Sequence, residues 1–180
     1  MEDPPFPAAA VEAVRDAAKT QLRIAGDFDD AALAAMAATA LALAEAFTGR
    51  TLIARSFSTT LMPDGKWQLL TAAPVQAITA VERVLEDGEE ALEAAAYAID
   101  IDADGAGWVR SNARGPIRVE FTAGLAVDWA GLPAPLAYGV LLLVAHLFND
   151  RDGVAAPPAA VSALWRPWRS FRIAGRERRA

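Results

Sequence analysis

The chain contains no cysteine and a single histidine. The first absence excludes a disulfide framework, a zinc–thiolate site and a thiol nucleophile. The second leaves His146 without a histidine partner for a metal or a proton relay. Near the end of an apolar helix, it reads as a packed side chain meeting the helix C-terminus. G-x-S-x-G, P-loop, H-E-x-x-H and G-x-G-x-x-G motifs are all missing. "GAGW" at 105–108 is a turn rather than a phosphate cradle, because no helix follows it. Long hydrophobic runs are also scarce. "PLAYGVLLLVAHLF" is too short to span a bilayer and contains His146. The start, "MEDPPFPAAAVEAVRDA", is acidic and proline-rich, without the basic head and continuous apolar core of a signal peptide. Together these absences predict a soluble protein made in the cytoplasm, with no enzymatic activity, no cofactor, no metal and no membrane contact.

What is present is apolar and unevenly charged. The 180 residues are 54% hydrophobic, much of that alanine, enough for one domain with tails. The net charge of −6 conceals an asymmetry. The last thirty residues carry Arg151, Arg166, Arg169, Arg172, Arg176, Arg178 and Arg179 against Asp152 and Glu177, while the preceding body is strongly acidic. An acidic body with a basic tail predicts that the two meet different surfaces.

Within that body, "YAIDIDADGAGW" places Asp100, Asp102, Asp104 and Gly105 as in the opening of an EF-hand loop. The twelfth place, where calcium needs a bidentate glutamate, is Ser111. Tyr97, Ile99 and Ile101 alternate before the loop, and Ile117, Val119 and Phe121 alternate after it, which is a strand period. Asp-Gly is a hairpin-turn signal. The acidic loop therefore reads as a turn between strands. A small calcium-binding domain is the competing reading.

The remaining periodicity predicts an α+β fold: an N-terminal helix pair, an antiparallel β-hairpin region in the middle, and a buried C-terminal helix followed by a basic tail. Val11, Val14, Ala18 and Leu22 predict a short helix over 11–24, stopped by Gly26. A second helix over 29–48 carries Leu33, Met36, Ala37, Ala40, Ala44 and Phe47 as one stripe. Leu41 and Leu43 are read as lying off it, on a second apolar face that needs its own partner. Strands are expected over 52–61, 66–71, 75–85, 96–101, 107–110 and 117–123, with "EEALEAAA" forming a helical turn among them. Pro133 and Pro135 introduce a third helix over 136–149, apolar nearly all round and so expected to be buried on most sides. The prolines of "APPAAVSALW" start a last short helix. The expected organisation is a proline-rich start over 1–10, a main domain over 11–153, and the short helix and tail over 154–180.

In "WRPWRSFR", Trp165, Trp168 and Phe171 recur every three residues, with Arg166, Arg169 and Arg172 one place later. Arginine beside aromatics suits nucleic-acid backbone and base stacking. It equally suits a protein–protein hot spot, or a tail folded on its own acidic body. Ordering such a tail costs roughly 1–2 kcal/mol per residue in backbone entropy, so from Trp165 onward it is expected to be poorly ordered until a partner surface is met.

The order of the pieces resembles the tailed-phage head–tail connector (adaptor) family. "LRIAGDFDDAALAAMAATALALAEAFTGRTLI" resembles its N-terminal signature, which closes in E-A-[FY]-T-G-R, here Glu45, Ala46, Phe47, Thr48, Gly49 and Arg50. "APVQAITAVERVLEDGEE", "YAIDIDADGAGWVR", "IRVEFTAGLA" and "LPAPLAYGVLLLVAHLFNDRDG" resemble its later strands, hairpins and helix in the right order, over residues 20–153. The resemblance implies a structural virion protein of a phage or phage-like gene transfer agent, located at the head–tail junction and made in the bacterial cytoplasm. It implies a homo-oligomeric ring, commonly of twelve subunits, beneath the portal protein. Such a ring extends the DNA channel, lets DNA pass without sequence-specific binding, and docks a stopper or tail protein. Connector C-termini commonly engage the portal, which makes Trp165, Arg166, Trp168, Arg169, Phe171 and Arg172 the expected portal-binding residues. A ring needs two complementary faces on each subunit, and Leu41, Leu43, Leu141 and Leu142 are the expected interface residues. A nucleic-acid-binding module using the tail is the alternative function.

Overall fold

The computed structural model describes residues 4–150 and 153–170. They form two compact units. One is Ala54–Gly124 with Pro4; the other is Pro5–Ile53 together with the described residues from Leu125 onward.

The helical unit contains α1 (Ala8–Leu22), α2 (Asp30–Thr48), α3 (Ala134–Asn149) and α4 (Ala159–Trp165), followed by a 3-10 turn, Arg166–Trp168. Prolines precede three of the four helices. Pro7, Pro133 and Pro158 hold extended backbone, and their carbonyls accept the first helical bonds from Ala10, Leu136 and Val161 at 2.9, 2.9 and 3.0 Å. A proline there loses nothing by lacking an N–H, since the first turn has no partner for it. Between α1 and α2, Lys19 pairs with Asp30. On α1 the Arg15 guanidinium bonds the Asp16 carboxylate, which lowers the Asp16 pKa and raises that of Arg15.

The core of this unit is built on Val14, Leu33, Leu41, Leu52, Leu136, Val140 and Trp165. Leu41 thus corrects the sequence reading. At about 100° per residue it lies roughly 40° from Ala37, inside the stripe that buries Leu33, Ala37, Ala40, Leu41, Ala44 and Thr48. Leu43 sits about 200° further round and is 46% exposed. Although α2 is long and apolar enough to cross a membrane by composition alone, its leucines of the stripe belong to this core. Helix α3 buries Leu136, Gly139, Val140, Leu143 and Val144. Its burial is less complete than expected, because Leu141, Leu142 and Ala145 are only half-buried and Tyr138 is 52% exposed.

The β unit holds a four-stranded antiparallel sheet in the order β1-β7-β3-β4 and a three-stranded sheet in the order β2-β6-β5. The strands are β1 (Arg55–Leu61), β2 (Gln68–Leu69), β3 (Val75–Leu85), β4 (Gly88–Ala91), β5 (Tyr97–Ile101), β6 (Gly107–Ser111) and β7 (Ile117–Ala123). Alternation drives the packing: Phe57, Val81, Ile117, Val119 and Phe121 face the core, and Phe57 stacks on Phe121 at 5.6 Å. Strands β3 and β7 match the predicted spans. Strand β1 begins later than predicted, because Leu52 and Ile53 belong to the helical core. The expected helical turn in "EEALEAAA" is present only at its end. Glu89, Glu90 and Ala91 continue a hairpin with β3, in the register Val84↔Glu89 and Arg83↔Glu90, and only Ala94–Ala96 forms a single 3-10 turn. Glu89 pairs with Arg118, and Glu90 lies 3.7 Å from Arg83. Charges along an edge strand discourage stray strand pairing.

Candidate functional site

The stretch from Glu45 to Arg50 ends α2, and its residues converge on the C-terminal segment. Glu45 Oε1 accepts from the Leu52 N–H at 2.7 Å, which turns the chain after the helix. The Phe47 ring lies between two partners, Trp165 at 5.8 Å between centroids and the Arg169 guanidinium at 5.3 Å. Thr48 is buried; its hydroxyl donates to the Ala44 carbonyl at 2.7 Å, and its carbonyl accepts from the Ser170 N–H at 2.7 Å. Gly49 closes the helix with φ +66°, a conformation that suits a residue without Cβ. Its carbonyl accepts from Ser170 Oγ at 2.9 Å, and an added Cβ would stand 3.0 Å from that oxygen. Arg50 Nε donates to the Trp168 carbonyl at 3.0 Å.

Trp165 anchors the same segment from the other side. It is 3% exposed, and its indole N–H donates to the Leu136 carbonyl at 3.2 Å. Gly139, one turn along α3 from Leu136, makes the room: a Cβ there would come within 2.8 Å of Trp165 Cδ1 and closer still to the ring nitrogen.

The expected portal-binding residues therefore divide. Trp165 is a core residue, which corrects its assignment to a poorly ordered tail. The sequence reading missed its partners because they lie far away along the chain. Arg166 and Arg169 are exposed and Trp168 is half-buried. Phe171 and Arg172 lie outside the described residues. Of the expected interface residues, Leu41 is enclosed in the chain's own core, Leu43 is exposed, and Leu141 and Leu142 share the outer face of α3 with Tyr138 and Ala145. Gly139 and Ser170 were not singled out, and Phe47 and Arg50 entered only as members of the α2 stripe or of the E-A-[FY]-T-G-R stretch, without a partner. The signal for Gly139 was its place inside a helix of large apolar residues, where a glycine destabilises unless something needs the space. Phe28, in the acidic loop between α1 and α2, is 95% exposed.

The acidic turn is held together from within. Asp102 Oδ1 accepts from the backbone N–H groups of Asp104 and Ala106 at 3.0 and 2.9 Å, and Oδ2 accepts from Trp108 Nε1 at 3.2 Å. Gly105 takes φ +79° at the bend. Among the described residues no group of three or more His, Asp or Glu side chains is placed to hold a metal. His146 is half-buried in the last turn of α3, its Nε2 3.2 Å from the Ala155 carbonyl and 4.0 Å from Asp150.

The helical unit thus carries half-buried and exposed apolar side chains on α2 and α3 and a secured C-terminal segment. No protein-family model matches the sequence, and no curated protein does. Solved structures do. A chain in the neck of a native gene transfer agent (GTA) particle, computed with C12 symmetry, is 32% identical with a TM-score of 0.75, over 99% of this chain and 100% of that one. A chain in the virion of a native GTA particle is 32% identical with a TM-score of 0.73, over 97% of both. A chain in the neck of an empty GTA particle, computed with C6 symmetry, is 28% identical with a TM-score of 0.80, over 99% of this chain and 98% of that one. The chain belongs to the neck proteins of gene transfer agent particles, structural virion components of the head–tail junction and members of the connector family its sequence resembles.

Proposed function

We propose that this protein is a non-enzymatic adaptor that forms a homo-oligomeric ring of twelve copies between the portal protein and the tail. One observation carries the reading: an end-to-end match at 32% identity to a chain in a GTA neck computed with C12 symmetry. A cyclic ring is a heterologous assembly, so each subunit must offer two different complementary faces. The outer face of α3, with Tyr138, Leu141, Leu142 and Ala145, supplies apolar surface for one of them. Leu43 and the exposed Ala35, Ala42 and Ala46 on α2 supply further apolar surface.

The same reading gives the charge asymmetry a role. An acidic body repels phosphate, so DNA passes the ring without sequence-specific binding. The exposed Arg166 and Arg169 lead into the arginine-rich terminus, whose partner is acidic surface on the portal. A stopper or tail protein docks on the opposite side. Cryo-electron microscopy of the portal vertex in intact particles tests the proposal. Twelve symmetry-related copies below the portal are expected, and a single copy, or none, overturns it.

A further inference from the structure

The contacts around Phe47 to Arg50 give this stretch a use beyond ending a helix. We propose that the end of α2 is a seat for the chain's own C-terminal segment, Trp165 to Ser170, and that this seat fixes the point from which the arginine-rich terminus begins. The seat itself stands on observed contacts; its role in assembly rests on the portal-docking reading above.

Three of those contacts are directed at backbone. Arg50 Nε meets the Trp168 carbonyl, Ser170 N–H meets the Thr48 carbonyl, and Ser170 Oγ meets the Gly49 carbonyl. Backbone-directed bonds specify the path of a segment rather than the chemistry of its side chains. The acceptors also have a reason to be taken. Thr48 and Gly49 close α2, where the last carbonyls have no partner in the helical ladder. Ser170 satisfies two of them. The negative end of the helix dipole favours cations nearby, and Arg50 and Arg169 both lie there. Phe47, between Trp165 and Arg169, ties the seat to the core, since Trp165 is fixed in turn by Leu136 and Gly139.

The consequence is geometric. With Ser170 held at the end of α2, the ten residues after it reach at most about 35 Å from that point, at roughly 3.5 Å per residue. Releasing the segment back to Trp165 adds five residues of slack and spreads the same terminus over a larger volume, which lowers its effective concentration at any one docking site. Arg50 and Ser170 are therefore positioning residues for a terminus they do not belong to.

The test compares full-length wild type with Arg50→Ala, Ser170→Ala and the double variant, first as free protein. Tryptic cleavage after Arg169 reports release of the segment, and hydrogen exchange in the middle of α2 reports the integrity of the body. Cleavage roughly tenfold faster in the double variant, with α2 exchange unchanged, is the expected result, from the loss of two hydrogen bonds. Unchanged cleavage overturns the seat. Ser170→Ala is the milder change and keeps the test usable if Arg50→Ala unfolds the body. Incorporation into portal-bearing capsids is then measured for the same variants and for a chain truncated after Ser170. Reduced incorporation of the double variant supports the positioning role. Wild-type incorporation of the double variant, where the truncation abolishes it, overturns that role. Normal incorporation of the truncated chain defeats the portal-docking reading instead, and leaves the seat to be judged by the protease result alone.

Discussion

Gly139 and Asp102 each do a job that no larger residue, or no less polar one, can do. A methyl group at 139 overlaps the Trp165 indole, so Gly139→Ala must displace either α4 or the ring. Overpacking of this kind costs about 1–3 kcal/mol. A lowered thermal midpoint and a red-shifted tryptophan emission, as Trp165 becomes wetter, are the expected readouts. Asp102 accepts three hydrogen bonds inside its turn. Asp102→Ala leaves the Asp104 and Ala106 N–H groups and the Trp108 indole without that acceptor, at a cost of about 1–3 kcal/mol. If the carboxylate serves the turn rather than an ion, the loss is the same with calcium and with a chelator, and calcium leaves the wild-type midpoint where it was. Paired melting curves in the two conditions check both statements.

At the scale of elements, legibility followed the range of the interactions. Strands β3 and β7 could be read because alternation between core and solvent is written locally, in Val119 and Phe121 against Glu120 and Thr122. The acidic turn was legible for the same reason. Helix α2 was readable in extent, but its buried stripe was drawn too narrow, and Leu41 was assigned to the wrong side. The distinction has a direct test. Leu41→Ala opens the core and costs about 2–5 kcal/mol, whereas Leu43→Ala on the exposed side changes the stability of the free protein by no more than about 0.5 kcal/mol. Urea unfolding of both variants checks it, and equal losses would return Leu41 to the surface. The C-terminal segment was legible only in part: the short helix begun by its prolines was expected and is α4, but the place where Trp165 to Ser170 pack was not. Arg50 and Trp168 are 118 residues apart, and composition alone made an anchored tryptophan look like part of a loose tail. The meaning of Glu45 to Arg50 was hidden likewise. The motif could be recognised as a resemblance, but its purpose depends on a partner segment that only the fold brings to it.

For the whole molecule, the path of the chain matters more than any single contact. The helical unit is left at Ile53 and rejoined at Leu125. The two crossings lie side by side: Ile53 and Ala126 form a parallel bridge, and the N–H groups of Leu125 and Ala126 donate to the carbonyls of Thr51 and Leu52, both at 3.0 Å. Within the helical unit, the residues that lead into and out of the β unit are thus clipped together, and the chain between them is a cassette. Neighbouring ends are the condition under which insertions are tolerated, so the helical core is expected to fold whatever the length of the chain between 53 and 125. Replacing 54–124 with a short Gly-Ser linker is expected to leave a chain that still melts cooperatively with Trp165 buried, as circular dichroism and tryptophan fluorescence would report. Loss of the cooperative transition would mean that the helices depend on their insert after all.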